Sequence, residues 1–493
     1  MKKRILILTL IITLIMISSF ASLTESSVQD ISKASTLTVQ MRTTAQNFLV
    51  YGSTTDSGFS LKVAIDGTGD FNCDGVADNV EINAALQAIK ARGGGSLELR
   101  PGTYNLAGPV RVSSQTTIVG SGLATVLRFQ GAKGFNHLIE NENYDNSSAR
   151  DNNILLTDFV IDGNRGQTGT AGIGFRNVDH VSLINLRVFN CHGDGVVFNP
   201  STAGGGKATD VSFSNVQVTG CGADGFAFKG MTRLSVQNVL LRSNGDRAGG
   251  SGITILTGPN INDEYNNYLF FENVTADYNQ KSGVSMKASY HVTWRDSSFT
   301  NSKEEDGFIS SSTLSKTTIL TSQDSFAASG YVDFINCKAS KNAGWGFHLT
   351  GGGIHDLHFT NSAAYENGRD GFLIYNTGQN IVLTNSSAWH NGWNGVYFLG
   401  ETLKANATIA GGMFYDNSLQ TPQKYNGICL QNWSNSTVTG VKAFDDQNPK
   451  TQRWGIVSTY GDYNAFVGND LRGNAAGPIL TKGPHDKVQS NLG

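Results

Sequence analysis

Residues 362–399 read SAAYENGRDGFLIYNTGQNIVLTNSSAWHNGWNGVYFL, which is two turns of one repeat. In each turn a glycine, Gly371 or Gly395, is followed by alternating apolar residues: Phe372 and Ile374, then Val396 and Phe398. The same unit recurs at Gly195, Gly225, Gly252, Gly283, Gly307, Gly346, Gly427 and Gly455. Apolar residues at the first and third places after each glycine, with variable and often polar residues at the second and fourth, are period two with one face buried. A supersecondary unit repeated at roughly 20–50 residues is the mark of a solenoid. Each unit also carries an asparagine that opens a second strand (Asn185, Asn215, Asn238, Asn273, Asn361, Asn385). Another follows a few residues later (Asn244, Asn279, Asn342, Asn367, Asn391, Asn417). Asparagine suits tight bends, because its amide bonds local backbone and it tolerates left-handed geometry. In stacked coils such amides can pair as a ladder. Three short strands per coil, few prolines and Asn/Gly bends predict an all-β chain, a right-handed parallel β-helix.

Upstream, Val80 to Ala91 has helical spacing, with Ile82, Ala85, Leu86 and Ile89 on one face. Asp78 or Asn79 can cap it and Gly93-Gly94-Gly95 ends it. This predicts an N-terminal capping helix over the open end of the solenoid. Strands are expected at Leu97–Leu99, Thr103–Leu106, Val110–Val112, Thr116–Val119 and Val126–Phe129, and a hairpin between Phe48 and Ile65.

Met1-Lys2-Lys3-Arg4, an apolar run from Ile5 to Ile17 and small residues at Ser19 and Ala21 read as a secretory signal peptide over 1–21. The run is shorter than the roughly 20 residues of a spanning helix, so no membrane span is expected in the mature chain. Residues 22–47 read as a polar linker and 48–493 as the β-helix domain. A secreted or cell-surface protein follows. A net charge of −3 argues against nucleic acid as a partner. None of the five cysteines forms a CxxC pair. Cys191 and Cys221, each four residues before a repeat glycine, should stack in neighbouring coils, as a disulfide or as two buried thiols.

CDGVADNVEINAALQAIKARGGGSLELRPGTYNL (residues 73–106) resembles the N-terminal segment of the pectate-lyase-like superfamily of β-helical, carbohydrate-active proteins, and residues 362–399 resemble the repeats of mannuronan C5-epimerases and related alginate lyases. The resemblance implies an exported polysaccharide-active enzyme with lyase or C5-epimerase-like chemistry on a uronate-containing, acidic polysaccharide. It does not carry the epimerase catalytic set. Where that family has an Asp-Pro-His motif this chain has Val196-Val197-Phe198-Asn199, and Lys229 stands where a further Asp would be.

Polar residues that break the repeat at outward places are therefore the candidates. His348, Tyr375 and Tyr397 fall on three consecutive coils, with Arg369, His390 and Trp393 in adjoining bends and Trp345 and Trp389 nearby. His and Tyr suit the proton transfers of elimination or epimerisation, and Arg can neutralise the uronate carboxylate. This makes His348, Tyr375, Tyr397 and Arg369 the candidate catalytic set. Asn199, Lys229, Lys287, Arg247, Trp393 and His390 are the candidate substrate-binding residues. The rival expectations are a glycoside hydrolase using carboxylates such as Asp246, Glu305 or Asp306, and a non-catalytic glycan-binding surface protein. The repeated Asp194, Asp224, Asp306 and Asp370 read first as turn caps. Asp70, Asn72, Asp74, Asp78 and Glu81 match the spacing of a Ca2+ loop, and equally a capping turn without metal.

Overall fold

A computed structural model describes residues 59–131, 136–146, 148–165, 170–199, 207–256, 266–311, 329–351 and 353–493. The expected signal peptide and linker, most of the expected hairpin and residues 312–328 lie outside the described residues. The described part of that hairpin, Ser60–Ala64, instead pairs in parallel with Phe71–Asn72 and Gly95–Leu99. Every strand pairing among the described residues is parallel, because each strand meets its counterpart one coil later rather than its neighbour in sequence.

Among the described residues, fourteen strands form one sheet and twenty-eight form the other, which wraps two sides of the coil. One coil shows the plan. Val196–Asn199 lies in the smaller sheet, Ala208–Ser214 and Gln217–Thr219 lie in the larger, and Phe226–Lys229 returns to the smaller sheet beside Val196–Asn199. The residues that follow the repeat glycines align in one row: Val196, Phe226, Ile253, Val284, Phe308, Phe347, Phe372, Val396, Ile428 and Ile456. They are fully buried and belong to one continuous core. The glycine before them is required by close approach. A Cβ on Gly371 would stand 2.7 Å from the carbonyl oxygen of Gly395 in the next coil.

The two asparagine sets do different work. Asn185, Asn215, Asn238, Asn273, Asn361 and Asn385 have φ of 48–56° and mark the left-handed bends. The later set is buried and forms the internal ladder. Asn342, Asn367, Asn391 and Asn417 each donate through Nδ2 to the side-chain oxygen of the next rung, over 2.9–3.0 Å, and the ladder runs on to Gln452.

The helix spans Asn79–Ala91, with Ile82, Ala85, Leu86 and Ile89 buried against the first strands. Gly93 (φ +86°) ends it, with its N–H on the Lys90 carbonyl. Asp78 sits at its start, but its carboxylate accepts from the backbone of Gly75 (2.8 Å) and Asn105 (2.6 Å) rather than from the first helical turn. The five downstream strands fall where the sequence places them, at Gly95–Leu99, Gly102–Leu106, Val110–Val112, Thr116–Val119 and Thr125–Phe129. Cys191 and Cys221 stack in adjacent coils as free, fully buried thiols. No helix among the described residues is long and apolar enough to cross a membrane.

Candidate functional site

The inward row of the smaller sheet fixes what faces out. His348, Leu373 and Tyr397 occupy one outward row on three adjacent strands, and Thr350, Tyr375 and Leu399 occupy the next. The six make a grid, two rows by three coils, on the sheet surface. The bends just before the glycines raise a wall beside it. The Arg369 guanidinium lies over Trp345 (4.2 Å to the ring centre) and over Trp393 (5.1 Å), and Trp393 stacks on Tyr425. The grid, Asp370 and the rings of Trp345 and Trp393 line an open pocket of about 330 Å³, with Arg369 outside that lining.

His348 is held by a carboxylate. Its Nδ1 is 3.0 Å from Asp306 Oδ2, while Asp306 Oδ1 accepts the backbone N–H of Trp345 at 2.9 Å. The pair is largely buried, with side chains 13% and 4% exposed. A carboxylate on Nδ1 fixes the proton there and leaves Nε2 as the free, basic nitrogen at the pocket. Asp370 lies deeper. Its Oδ1 accepts from the backbone and side-chain nitrogens of Asn394, both at 2.8 Å, and its Oδ2 accepts from Trp345 Nε1 at 3.0 Å. Burial pushes its carboxyl up to about 6. The Tyr397 hydroxyl donates to Gln431 Oε1 over 2.8 Å, and that of Tyr375 donates to Glu401. Burial raises the phenol of Tyr397, and the Glu401 hydrogen bond, with burial second, raises that of Tyr375, so both stay protonated at neutral pH. The Arg369 side chain has no ion-pair partner among the described residues.

The structure thus brings His348, Tyr375, Tyr397, Arg369, Trp345 and Trp393 together. It places His390 and Trp389 elsewhere. His390 stands on a bend of the larger sheet with Nε2 3.5 Å from Asp416 Oδ2, and Trp389 stacks between Tyr365 and Tyr415. His390 and Trp393 belong to the one connection between Ser387–Trp389 and Val396–Ala405, but His390 opens it beside Asp416, three residues before Trp393, and is not among the residues that line this pocket. Asp194, Asp224, Asp306 and Asp370 all accept backbone N–H groups from the next coil, as turn caps do. Asp306 alone of these four also holds a histidine.

The other candidates are dispersed. Asn199 donates to the Tyr144 hydroxyl (3.0 Å), Lys229 ends its strand beside Leu256, and Lys287 follows the strand Val284–Met286. Asp246 pairs with Arg165, whose carbonyl accepts from Arg247, and Glu305 accepts from Ser282. In the segment with Ca2+-loop spacing, Asp70, Asn72 and Asp74 accept backbone N–H groups of Lys62, Gly69 and Val76. Oxygens of Asp78 and Glu81 lie instead with Cys73 Sγ, all within 4.8 Å.

Sequence reasoning missed Glu401 and Gln431. Glu401 is six residues past Gly395 and shares the outward parity of Tyr397 and Leu399; extending the parity past the fourth place finds it. It also missed a polar group at the N-terminal end of the same sheet face. There Glu140 is buried between Arg111 (2.8 Å) and His137 (3.3 Å), whose ring packs on Tyr144. That coil has no repeat glycine to set its register.

The family model described as a right-handed β-helix region matches residues 171–353, 261–402 and 325–491. The chain belongs to this right-handed β-helix family. It is similar in structure to the A-module of the mannuronan C-5 epimerase AlgE4 of Azotobacter vinelandii, with 18% identity, a TM-score of 0.47, and coverage of 86% of this chain and 99% of that one. It is also similar to gene product 12 of bacteriophage phi29, with 13% identity and a TM-score of 0.56, covering 87% of this chain and 56% of that one. A GH87 α-1,3-glucanase of Streptomyces thermodiastaticus matches with 13% identity and a TM-score of 0.43, over 88% and 69% of the two chains. At such identities the likenesses speak to fold alone. A search of curated proteins finds no match.

Proposed function

We propose that the chain is an exported enzyme acting on a uronate-containing polysaccharide by C5-proton abstraction, as a lyase or a C5-epimerase, at the pocket built on His348. The observation that carries this reading is the Asp306–His348 pair at a sugar-sized pocket lined by Trp345 and Trp393, with the Arg369 guanidinium over both tryptophan rings. Arg369 pairs with the uronate carboxylate, which acidifies the C5–H bond. His348 Nε2 takes the C5 proton. In elimination the C4–O bond then breaks, a C4=C5 double bond forms, and Tyr375 or Tyr397 protonates the departing oxygen. In epimerisation the proton returns to the opposite face of C5. The tyrosines suit the donor role because their phenols are held protonated. The outward Asn199, Lys229 and Lys287 extend the same sheet face towards the N-terminus and would bind further units of an anionic chain.

The rival carboxylate chemistry has less support. Asp306 spends both oxygens on Trp345 and His348, and Asp246 is neutralised by Arg165. The test is incubation with a panel of acidic polysaccharides, followed by ultraviolet absorbance, reducing ends and uronate NMR. Unsaturated products or altered uronate configuration support the proposal. New reducing ends without unsaturation indicate a hydrolase, and binding without any product indicates a glycan-binding protein.

A further inference from the structure

The pocket floor is unusual for the outside of a sheet. Two leucines, Leu373 and Leu399, occupy its outward positions, flanked in register by His348 and Tyr397 and by Tyr375. Leu373 is only 6% exposed. Both oxygens of Asp370 are taken up by Trp345 and Asn394, and without substrate the hydroxyl hydrogens of Tyr375 and Tyr397 go to Glu401 and Gln431. A sugar whose every substituent is a hydroxyl would place some of them against leucine and aromatic carbon with no partner, which is unfavourable.

We infer that the sugar seated here carries an acetyl group, with its methyl against Leu373 and Leu399. This rests on the glycan reading above and narrows its substrate class. Strands about 4.8 Å apart and residues rising about 3.3 Å each make the grid roughly 10 Å by 7 Å, enough for one pyranose ring and a short substituent. The methyl group finds the apolar floor, and the acetyl carbonyl accepts from the Thr350 hydroxyl in the same grid row. The ring's C–H face lies on the tryptophan wall, and the carboxylate meets Arg369 at the rim.

The experiment is isothermal titration of the full chain with O-acetylated uronate oligosaccharides, and with the same sample after mild alkaline de-acetylation. Oligomers of N-acetylhexosamine form a third arm. Burying one methyl group should make the acetylated form bind at least about fourfold more tightly. Leu399→Thr, on the outward face where the core is not disturbed, should bring that ratio near one. Equal affinity for both forms in the wild type, or a preference that survives Leu399→Thr, overturns the acetyl assignment. Tighter binding of N-acetylhexosamine oligomers than of either uronate form keeps the acetyl group and overturns the uronate. Failure of the folded wild type to bind any of the three overturns the glycan reading itself.

Discussion

Replacing Asn367 by Ala removes a rung of the internal ladder. Asn367 Oδ1 accepts from the backbone N–H of Asn342 (3.2 Å) and from its Nδ2 (2.9 Å), while Asn367 Nδ2 donates to the Ala339 carbonyl and to Asn391 Oδ1, both at 3.0 Å. The side chain is buried. Two of the abandoned groups keep a partner: Asn342 Nδ2 still donates to Phe299, and Asn391 Oδ1 still accepts from the backbone of residue 367. The Ala339 carbonyl keeps its place in the ladder with Ala363–Tyr365, whereas the Asn342 N–H is left buried and unpaired, and one Nδ2 hydrogen of Asn342 joins it. At about 1–3 kcal/mol for each orphaned donor, the substitution should cost about 2–6 kcal/mol. Asn361 provides the control. Its side chain donates outside the coil over 3.4 Å, and glycine suits its φ of 50°, so Asn361→Gly should stay within about 0.5 kcal/mol of wild type. Denaturant unfolding followed by circular dichroism measures both. Because stacked coils can unfold in stages, hydrogen exchange at Asn342 and Phe372 locates the loss. If Asn367→Ala also falls within about 0.5 kcal/mol, the ladder is not what holds the coils in register and the reasoning fails.

Leu86→Ala should cost about 2–5 kcal/mol, because Leu86 is buried between the helix and the first strands; a negligible loss means the helix does not cap the solenoid. The buried carboxyls of Asp194, Asp370 and Asp416 are each held up to about 6, in every case chiefly by burial. Between about pH 4 and 6 the unfolded chain has released protons that the native state keeps, so stability falls as pH rises through that window. The thermal midpoint should therefore be higher at pH 5 than at pH 7, and Asp370→Asn should shrink the difference; a midpoint that rises from pH 5 to pH 7 contradicts this. Asp306→Asn leaves the ring of His348 in place but removes the acceptor that fixes its Nδ1 proton. On an active substrate, turnover should drop by about 10²–10⁴ and KM should change little, whereas a purely structural role would lower the midpoint and spare turnover in the folded fraction.

The solenoid was open to sequence reading because its period leaves little freedom. One glycine per coil, made necessary by a carbonyl of the next coil, sets the register of the smaller sheet from Gly195 onward. That register in turn showed His348, Tyr375 and Tyr397 facing out on neighbouring strands. It could not separate residues of one connection that meet different neighbours, so it groups His390, which turns to Asp416, with Trp393, which lines the pocket. Nor could it show pairs made between coils. Asp306 looked like one more turn cap, and its second oxygen reaches His348 forty-two residues on. The two asparagine positions share one rationale in the sequence and have two roles in space, because left-handed bends and buried rungs select the same side chain for different reasons. The His137–Glu140–Arg111 group had no repeat glycine beside it and so no register from which to read it.

The central claim is that His348 removes a C5 proton from a uronate. The direct measurement is incubation of wild type and His348→Ala with a uronate polymer in D2O, following the C5 position by NMR together with the absorbance of unsaturated ends. Wild type should either wash deuterium into C5 or produce unsaturated ends, and His348→Ala should do so about 10²–10⁴ more slowly with its fold intact. Undiminished exchange or elimination in the variant would contradict the account and move the chemistry away from this pocket.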